Sequence, residues 1–399
     1  MKYKFKKHPS KLATLIVTFG AGARVSYNTK YPNGIAHYVE HVRFKGTEKY
    51  TSKELTQKIA DVGGSWNAGT STDFVYYYIT VPEENIEVAF ECLAEIVLHP
   101  IFPKEELEKE KEVVCQEIRM YNDDIDTLVN YKMMSTVFNN ALTIPVIGDE
   151  ESVQSITRDD IIRFNEEFYS KEHMLISLGA NVDYEYLVEK YFGMPDDVLL
   201  FSPPSENVEY KNTEEHIVFK DGQLQDSVLI CFGSDELLKL SNTSRAKIKV
   251  FSSIFGGGSA SRLFMKVRED LGLVYGIGSY DNDGMDGSLY EIYTSTDPEN
   301  LEKVISAIEE EIDIIKSEPP TEIELNRAKN MIRSAYYGSL DTSHSSIIYT
   351  IYEEFLGYTT GSKFLAEIDA VTAEDVHNIA KSIFNSNKYK VIGTGKGGE

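Results

Sequence analysis

Three residues near the start of the chain have the types and spacing of a catalytic metal site. His37, Glu40 and His41 form the string His-Tyr-Val-Glu-His. On a helix, residues three and four positions apart share one face, so both imidazoles can ligate a single Zn²⁺. The Glu40 carboxylate would then lie where a general base is needed to deprotonate water. The alternative is an ordinary helix with two hydrogen-bonded or solvent-facing histidines.

A tetrahedral catalytic site needs a third protein ligand, and a later helix offers one. The segment PKEELEKEKEVVCQEIRMYND (103–123) has helical periodicity. Glu110 and Glu117 are seven residues apart and fall on its apolar face. Burying two carboxylates without a partner would cost on the order of several kcal/mol, and a metal with its ligands is one such partner. The alternative is that both belong to the solvated face of a highly charged helix.

An internal repeat predicts two domains of one type. EENIEVAFECLAEIV, from Glu83, recurs as PENLEKVISAIEEEI, from Pro298. FPKEELEKEKEVV, from Phe102, recurs at nearly the same offset as PTEIELNRAKNMI, from Pro320. Repetition of a segment this long indicates a duplicated structural unit.

The second copy lacks every candidate metal residue. Aligning the copies places Ala328 opposite Glu110 and Ala335 opposite Glu117, and the His-x-x-Glu-His string has no counterpart there. Loss of the two carboxylates together with the histidines is expected if the four residues form one site. It is not expected of glutamates that serve as surface charge, so the repeat favours the metal site.

Four stretches resemble the pitrilysin family of zinc metallopeptidases, the inverzincins, and within it the two-domain subunits of mitochondrial processing peptidase type. Besides the helix with Glu110 and Glu117, they are NGIAHYVEHVRFKGT (33–47), VGGSWNAGTSTDFVYYYITV (62–81) and GGGSASRLFMKVREDLGLVYGIGSY (256–280). The resemblance implies that His37, His41 and Glu117 ligate one zinc per chain. It implies that Glu40 is the general base, with Glu110 supporting the site from outside the ligand shell.

The same resemblance assigns four substrate-handling residues. Asn67 and Ala68 match the edge strand along which the family lays its peptide substrate. Arg268 and Tyr275 match a pair that holds the substrate and polarises the scissile carbonyl. Arg43 departs from the family, which more often has an apolar residue there, and we expect it to place a charge near the cleft.

The expected fold is α+β, with two homologous two-layer domains. Strand-like runs alternate with long helical stretches, which predicts in each domain a mainly antiparallel sheet with helices on one side. The resemblance implies the same metallopeptidase fold, of the LuxS and processing-peptidase type. We expect a zinc-binding catalytic domain at 1–195, a linker at 196–215, and a homologous domain without metal at 216–399 that carries Arg268 and Tyr275.

Composition limits the partners. The chain has 399 residues, 42% hydrophobic and 26% charged, with a formal net charge of −24. This charge disfavours nucleic acid and anionic membranes, which need basic patches, and no apolar run reaches the roughly 18 residues of a membrane span. An acidic chamber could enrich cationic peptides, or the charge could serve solubility alone.

The amino terminus and the cysteines bear on the compartment. A lysine-rich start followed by LATLIVTFGAGA imitates a secretory signal, but the short β-branched run favours a core strand. The three cysteines have no Cys-x-x-Cys spacing, and an odd count argues against a disulfide framework. A reducing cytoplasm is therefore the expected location.

The predicted function is that of a zinc-dependent endopeptidase. Short or unfolded peptides would bind as an added strand in a closed cleft, and the enzyme would be a homodimer. A dedicated role in processing one leader or precursor peptide stays open beside general peptide degradation. The alternative from another class is a catalytically silent scaffold or a subunit that complements a separate active chain.

Overall fold

The computed structural model describes residues 1–196, 200, 209–284 and 287–395. Its strands are β1 (Lys2–Lys7), β2 (Leu12–Phe19), β3 (Ser65–Thr70), β4 (Val75–Pro82), β5 (Met174–Ala180), β6 (Glu215–Phe219), β7 (Asp226–Gly233), β8 (Val274–Gly284), β9 (Gly287–Thr296) and β10 (Asn387–Thr394). None of the described helices is both long and apolar enough to cross a membrane.

The helices of the first half of the chain are α1 (Ile35–Val42), α2 (Ser52–Asp61), α3 (Ile86–Leu98), α4 (Lys104–Asn122), α5 (Ile125–Val137), α6 (Glu150–Ser155), α7 (Arg158–Phe168) and α8 (Glu185–Tyr191). Those of the second half are α9 (Asp235–Thr243), α10 (Arg245–Phe255), α11 (Leu301–Ser317), α12 (Glu322–Ser339), α13 (Ser343–Ile347), α14 (Tyr349–Leu356), α15 (Gly361–Ala370) and α16 (Ala373–Phe384). A π-helix, Phe264–Asp270, lies between α10 and β8.

The two sheets have identical topology. Their strand orders are β1-β5-β2-β4-β3 and β6-β10-β7-β9-β8, so each strand of one sheet has a counterpart in the other. In each sheet the first pair is parallel and the other three are antiparallel. The predicted duplication and the mainly antiparallel α+β fold are confirmed.

Each compact unit includes a helical segment from the other half of the sequence. The first unit comprises Met1–Arg119, Ile144–Pro204 and Tyr337–Tyr358, and the second comprises Met120–Thr143, Ser205–Tyr336 and Thr359–Glu399. The expected boundaries at 1–195 and 216–399 are therefore corrected for two exchanged segments, 120–143 and 337–358. The exchange was not predictable from chain continuity, because α4 and α12 are long helices and each contains a boundary between the units. Most of the expected linker, 196–215, lies outside the described residues.

The first sheet is covered on both faces. On β2, Leu15 and Val17 belong to the main core, whereas Ile16 packs in a separate cluster with Ile347 of α13 and Ile351 of α14. The expectation of helices on one side was therefore incomplete. Strands buried on both faces have continuous apolar runs, and LATLIVTF has such a run instead of a clean alternation.

The second sheet repeats this arrangement. On β7, Val228 and Ile230 face the main core of the second unit. Leu229 and Cys231 instead pack with Val129 of α5, the helix of the exchanged segment. Each unit therefore places one exchanged segment on the face of its sheet opposite the main helical layer.

Strand β3 lies at the edge of the first sheet, and the turn after it is firmly held. Ser71 N–H donates to the Phe74 carbonyl at 2.8 Å. The Arg24 side chain is buried and donates through Nε to Asp73 Oδ1 at 2.6 Å. At Gly22 a Cβ would lie 2.5 Å from backbone atoms of this turn, so only glycine allows the approach.

Candidate metal centre

Helix α1 carries the His-x-x-Glu-His string and is almost entirely buried. Ile35, Val39 and Val42 belong to the main core of the first unit. The Tyr38 hydroxyl donates to the Leu107 carbonyl at 2.6 Å, which ties α1 to α4. The predicted helix is confirmed, and it lies against the helix that carries Glu110 and Glu117.

Three side chains converge where these two helices meet. His37 Nε2 and His41 Nε2 lie 3.8 and 3.5 Å from Glu117 Oε2, and the three ligand atoms all lie within 4.8 Å of one another. Zinc bonds of about 2.1 Å would separate neighbouring donors of a tetrahedral site by about 3.4 Å. The spacing and the nitrogen and oxygen donor set therefore fit a zinc ion.

Glu110 fixes the orientation of His41. The imidazole Nδ1 of His41 lies 2.9 Å from Glu110 Oε1, and Lys45 Nζ lies 2.6 Å from Glu110 Oε2. When Nδ1–H donates to this carboxylate, the Nε2 lone pair of His41 faces Glu117. Burial opposes ionisation of Glu110, but the His41 and Lys45 contacts outweigh it and lower its pKa.

The second imidazole is held in the neutral form that metals bind. His37 is 7% exposed, and within the described part of the chain its Nδ1 has no hydrogen-bond partner. Burial, followed by the charge of His41, lowers the pKa of His37 to about 3. A neutral imidazole does not have to lose a proton before it ligates a metal.

Glu40 lies beside the three donors and is suited to proton transfer. It is 8% exposed and accepts a hydrogen bond from Thr70 Oγ1 at 2.8 Å. Burial is the largest effect on its pKa, which is raised above the ordinary value, although Thr70 and His41 act in the opposite direction. A carboxylate with a raised pKa binds a proton more tightly than an ordinary carboxylate, which favours a role as general base.

Asn67 and Ala68 lie on the edge strand β3, as the sequence predicted. They pair with Tyr78 and Tyr77 of β4. The Ala68 N–H donates to Asn67 Oδ1 at 2.9 Å and is therefore directed away from β4, toward the free edge. Their contact with a substrate stays a prediction.

Arg268 and Tyr275 lie in the second unit and contact each other. The Arg268 guanidinium lies 5.3 Å from the centroid of the Tyr275 ring and 4.6 Å from that of Phe264. Tyr275, on β8, is 89% exposed, so its hydroxyl is accessible. The structure brings the pair together, and its role toward a substrate stays a prediction.

Arg43 does not present an exposed charge, contrary to the expectation from the sequence, because its side chain lies inside the core. Its side chain is fully buried, and Nη1 donates to the Val97 and Ile96 carbonyls at 2.9 and 3.3 Å. The guanidinium also hydrogen-bonds Asn165 and stacks 3.5 Å from the Tyr169 ring centroid. Arg43 therefore satisfies the carboxyl end of α3 from inside the core.

Sequence reasoning missed two residues that contact the site, Thr70 and Lys45. Lys45 stands four residues beyond His41, within the stretch recognised as the zinc helix and its following turn. Thr70 stands two residues beyond Ala68, in the recognised edge strand. Both residues lie within stretches identified from the sequence. Their contacts could not be predicted because their side-chain partners lie on other elements.

Comparison with known proteins places the chain in a family. Residues 4–150 match the model described as insulinase, peptidase family M16, and residues 155–332 match the peptidase M16 inactive domain. A Rickettsia bellii protein named as an uncharacterised zinc protease is 30% identical over 378 residues, covering 92% of this chain and 89% of its own length. The chain belongs to peptidase family M16. A Bacillus subtilis relative with the same kind of name is 29% identical over 93% of this chain and 90% of its own length.

Two solved structures share the fold. The structure described as a peptidase M16 inactive domain from Pseudomonas fluorescens has a TM-score of 0.87 at 18% identity and covers 100% of this chain and 96% of its own. A protease from Helicobacter pylori has a TM-score of 0.86 at 20% identity, over 98% and 96% of the two chains. In the described residues of this M16 chain, His37, His41 and Glu117 are the one group of donors that could hold a metal.

Proposed function

We propose that this M16 chain is a zinc-dependent endopeptidase for short or unfolded peptides, with one zinc held by His37, His41 and Glu117. The supporting observation is the convergence of three donor atoms within 4.8 Å, next to the buried carboxylate of Glu40. Two imidazoles and one carboxylate are a donor set of catalytic zinc sites and leave a coordination position open.

Glu40 would carry the proton transfers. When bound, zinc supplies Lewis acidity that polarises the scissile carbonyl and makes water easier to deprotonate. Glu40 accepts the proton as water attacks that carbonyl, and it returns the proton to the leaving amine. The raised pKa of Glu40 suits both steps, because the carboxyl group must hold the proton between them.

The substrate would bind by adding a strand to β3. Main-chain hydrogen bonds at a free sheet edge provide affinity with little dependence on side chains, which suits peptides without stable structure. The Asn67 side chain hydrogen-bonds the Ala68 N–H, so an incoming carbonyl must displace it. Arg268 and Tyr275 offer a cationic and a phenolic donor for the substrate carbonyl.

The test is Glu40→Gln, compared with wild type and with the exposed control Glu105→Gln. We expect wild type and Glu105→Gln to cleave a quenched-fluorescent peptide mixture in a chelator-sensitive way. Glu40→Gln should lose at least about 100-fold in rate, the usual contribution of a general base, and keep its zinc by elemental analysis. Full activity of zinc-loaded Glu40→Gln would refute the mechanism. Zinc-loaded wild type that cleaves no peptide would favour a silent scaffold.

A further inference from the structure

We propose that Thr70 is a positioning residue that orients the general base Glu40 and connects it to the strand on which the substrate docks. The proposal rests on the function proposed above. Thr70 is the last residue of β3, and Glu40 lies on α1, thirty residues earlier. The two side chains meet at the centre where His37, His41 and Glu117 converge.

The hydrogen bond holds one oxygen of the carboxylate. Thr70 Oγ1 donates to Glu40 Oε2 at 2.8 Å, and the carboxylate is nearly fully buried. A carboxylate anchored through one oxygen cannot rotate freely, so the other oxygen keeps a fixed direction for proton transfer. The threonine is itself stiff, since β-branching restricts its χ1 angle.

The backbone that carries Thr70 is also held. Thr70 pairs with Val75 of β4 at the closing end of the hairpin. In the turn between them, Ser71 Oγ donates to the Phe74 carbonyl at 3.0 Å, and the Ser71 carbonyl accepts from Ala23 N–H at 2.9 Å. A residue fixed on both sides can position a catalytic group more precisely than one on a free loop.

The same residue borders the free edge of the sheet. Because the Ala68 N–H is directed away from β4, the alternation of an antiparallel ladder directs the Thr70 N–H to that edge as well. A peptide that adds to β3 at Thr70 would therefore contact the residue that orients the base. Docking of the substrate and alignment of Glu40 would depend on one short segment.

The test compares Thr70→Val, Thr70→Ser and the control Thr80→Val in zinc-loaded protein. Valine keeps the shape of threonine and removes the hydroxyl, and serine keeps the hydroxyl. Thr80, on β4, bonds Thr14 at 2.8 Å instead of Glu40, so its valine variant controls for losing a hydroxyl from this sheet.

We expect Thr70→Val to lower kcat about 10- to 100-fold, with KM within about twofold and zinc content unchanged, because misorientation of a catalytic group acts on the chemical step. Thr70→Ser and Thr80→Val should stay within about threefold of wild type in kcat. An unchanged kcat in Thr70→Val, an effect on KM alone, or an equal loss in Thr70→Ser would overturn the proposal.

A structural measurement tests the role of Thr70 independently of the proposed peptidase function. If wild type cleaves no peptide, the peptidase function fails, whereas the Thr70 proposal is tested by crystal structures of wild type and Thr70→Val. We expect the Glu40 carboxylate to rotate or to occupy several orientations in Thr70→Val. A single, unchanged Glu40 orientation in the variant would refute the role of Thr70.

Discussion

His41 and Glu110 are joined by a 2.9 Å contact between the imidazole Nδ1 and the carboxylate Oε1. This contact leaves the other ring nitrogen of His41 directed at Glu117, 3.5 Å away. Lys45 holds the second oxygen of Glu110 at 2.6 Å. A chain of three side chains therefore determines how one of the three candidate metal donors is oriented.

We predict that Lys45→Met weakens zinc binding without removing a ligand. Loss of the ammonium group leaves the buried Glu110 carboxylate free to turn away from His41, and such outer contacts are typically worth about 10- to 100-fold in metal affinity. The affinity can be measured by competition with a chromophoric chelator. Lys49→Met, which breaks a surface ion pair with Glu91, is the matched control.

The effects of Lys45 and Glu110 on zinc affinity should not be additive. The zinc affinity of the double variant Lys45→Met/Glu110→Gln should lie within about twofold of that of the single variant with the lower affinity. Both changes disturb the same contact with His41, so the second adds little. Losses that multiply in the double variant would show that Lys45 acts on the site by a separate route.

We predict that Arg43→Met destabilises the fold. The change removes the guanidinium donors from the last carbonyls of α3 and leaves those buried groups unpaired, at a cost of about 3 kcal/mol. A shift in the urea midpoint measures the loss, with Arg163→Met as an exposed control expected to change stability by less than about 0.5 kcal/mol. Wild-type stability in Arg43→Met would contradict the structural role assigned to Arg43.

We predict that ionised Asp375 stabilises the second unit at neutral pH and that this contribution is lost in acid. Lys247 Nζ lies 2.7 Å from Asp375 Oδ1, and Thr372 donates to Oδ2 at the start of α16. The Lys247 hydrogen bond, followed by the Thr372 backbone hydrogen bond, lowers the pKa of Asp375 from 3.8 to about 2. A depressed folded-state pKa stabilises the protein above the unfolded value, and that stability is lost as pH falls from 3.8 toward about 2.

Asp375→Asn should therefore lower the melting temperature near neutral pH, and the difference from wild type should shrink as pH approaches 2. We expect a loss of about 1 kcal/mol near pH 7, since the Asp375 carboxylate is partly exposed and its ion pair is screened by solvent. Asp313→Asn, at an exposed position on α11, is the control. A difference that stays constant across this pH range would contradict the assignment.

Local sequence patterns predicted the core of the site, because His37, Glu40 and His41 are brought together by one turn of helix. Glu110 and Glu117 could be predicted because seven residues bring side chains back to one helical face. The duplication could be predicted because both copies retain the same apolar spacing. These features depend on short-range geometry, which sequence encodes directly.

The remaining features depend on contacts between distant elements. Thr70 reaches Glu40 from a strand, and Arg43 turns into the core because the end of α3 and Asn165 provide acceptors. The exchange of segments 120–143 and 337–358 depends on which sheet face each helix buries. No spacing rule within a single element contains that information.

The most direct test of the account is zinc content measured with peptide cleavage, in wild type, Glu117→Ala and the exposed control Glu112→Ala. We predict about one zinc per chain and chelator-sensitive cleavage in wild type and in the control. Glu117→Ala should lose both while remaining folded by circular dichroism. Stoichiometric zinc in Glu117→Ala, or cleavage that survives complete removal of metal from wild type, would contradict the proposed centre.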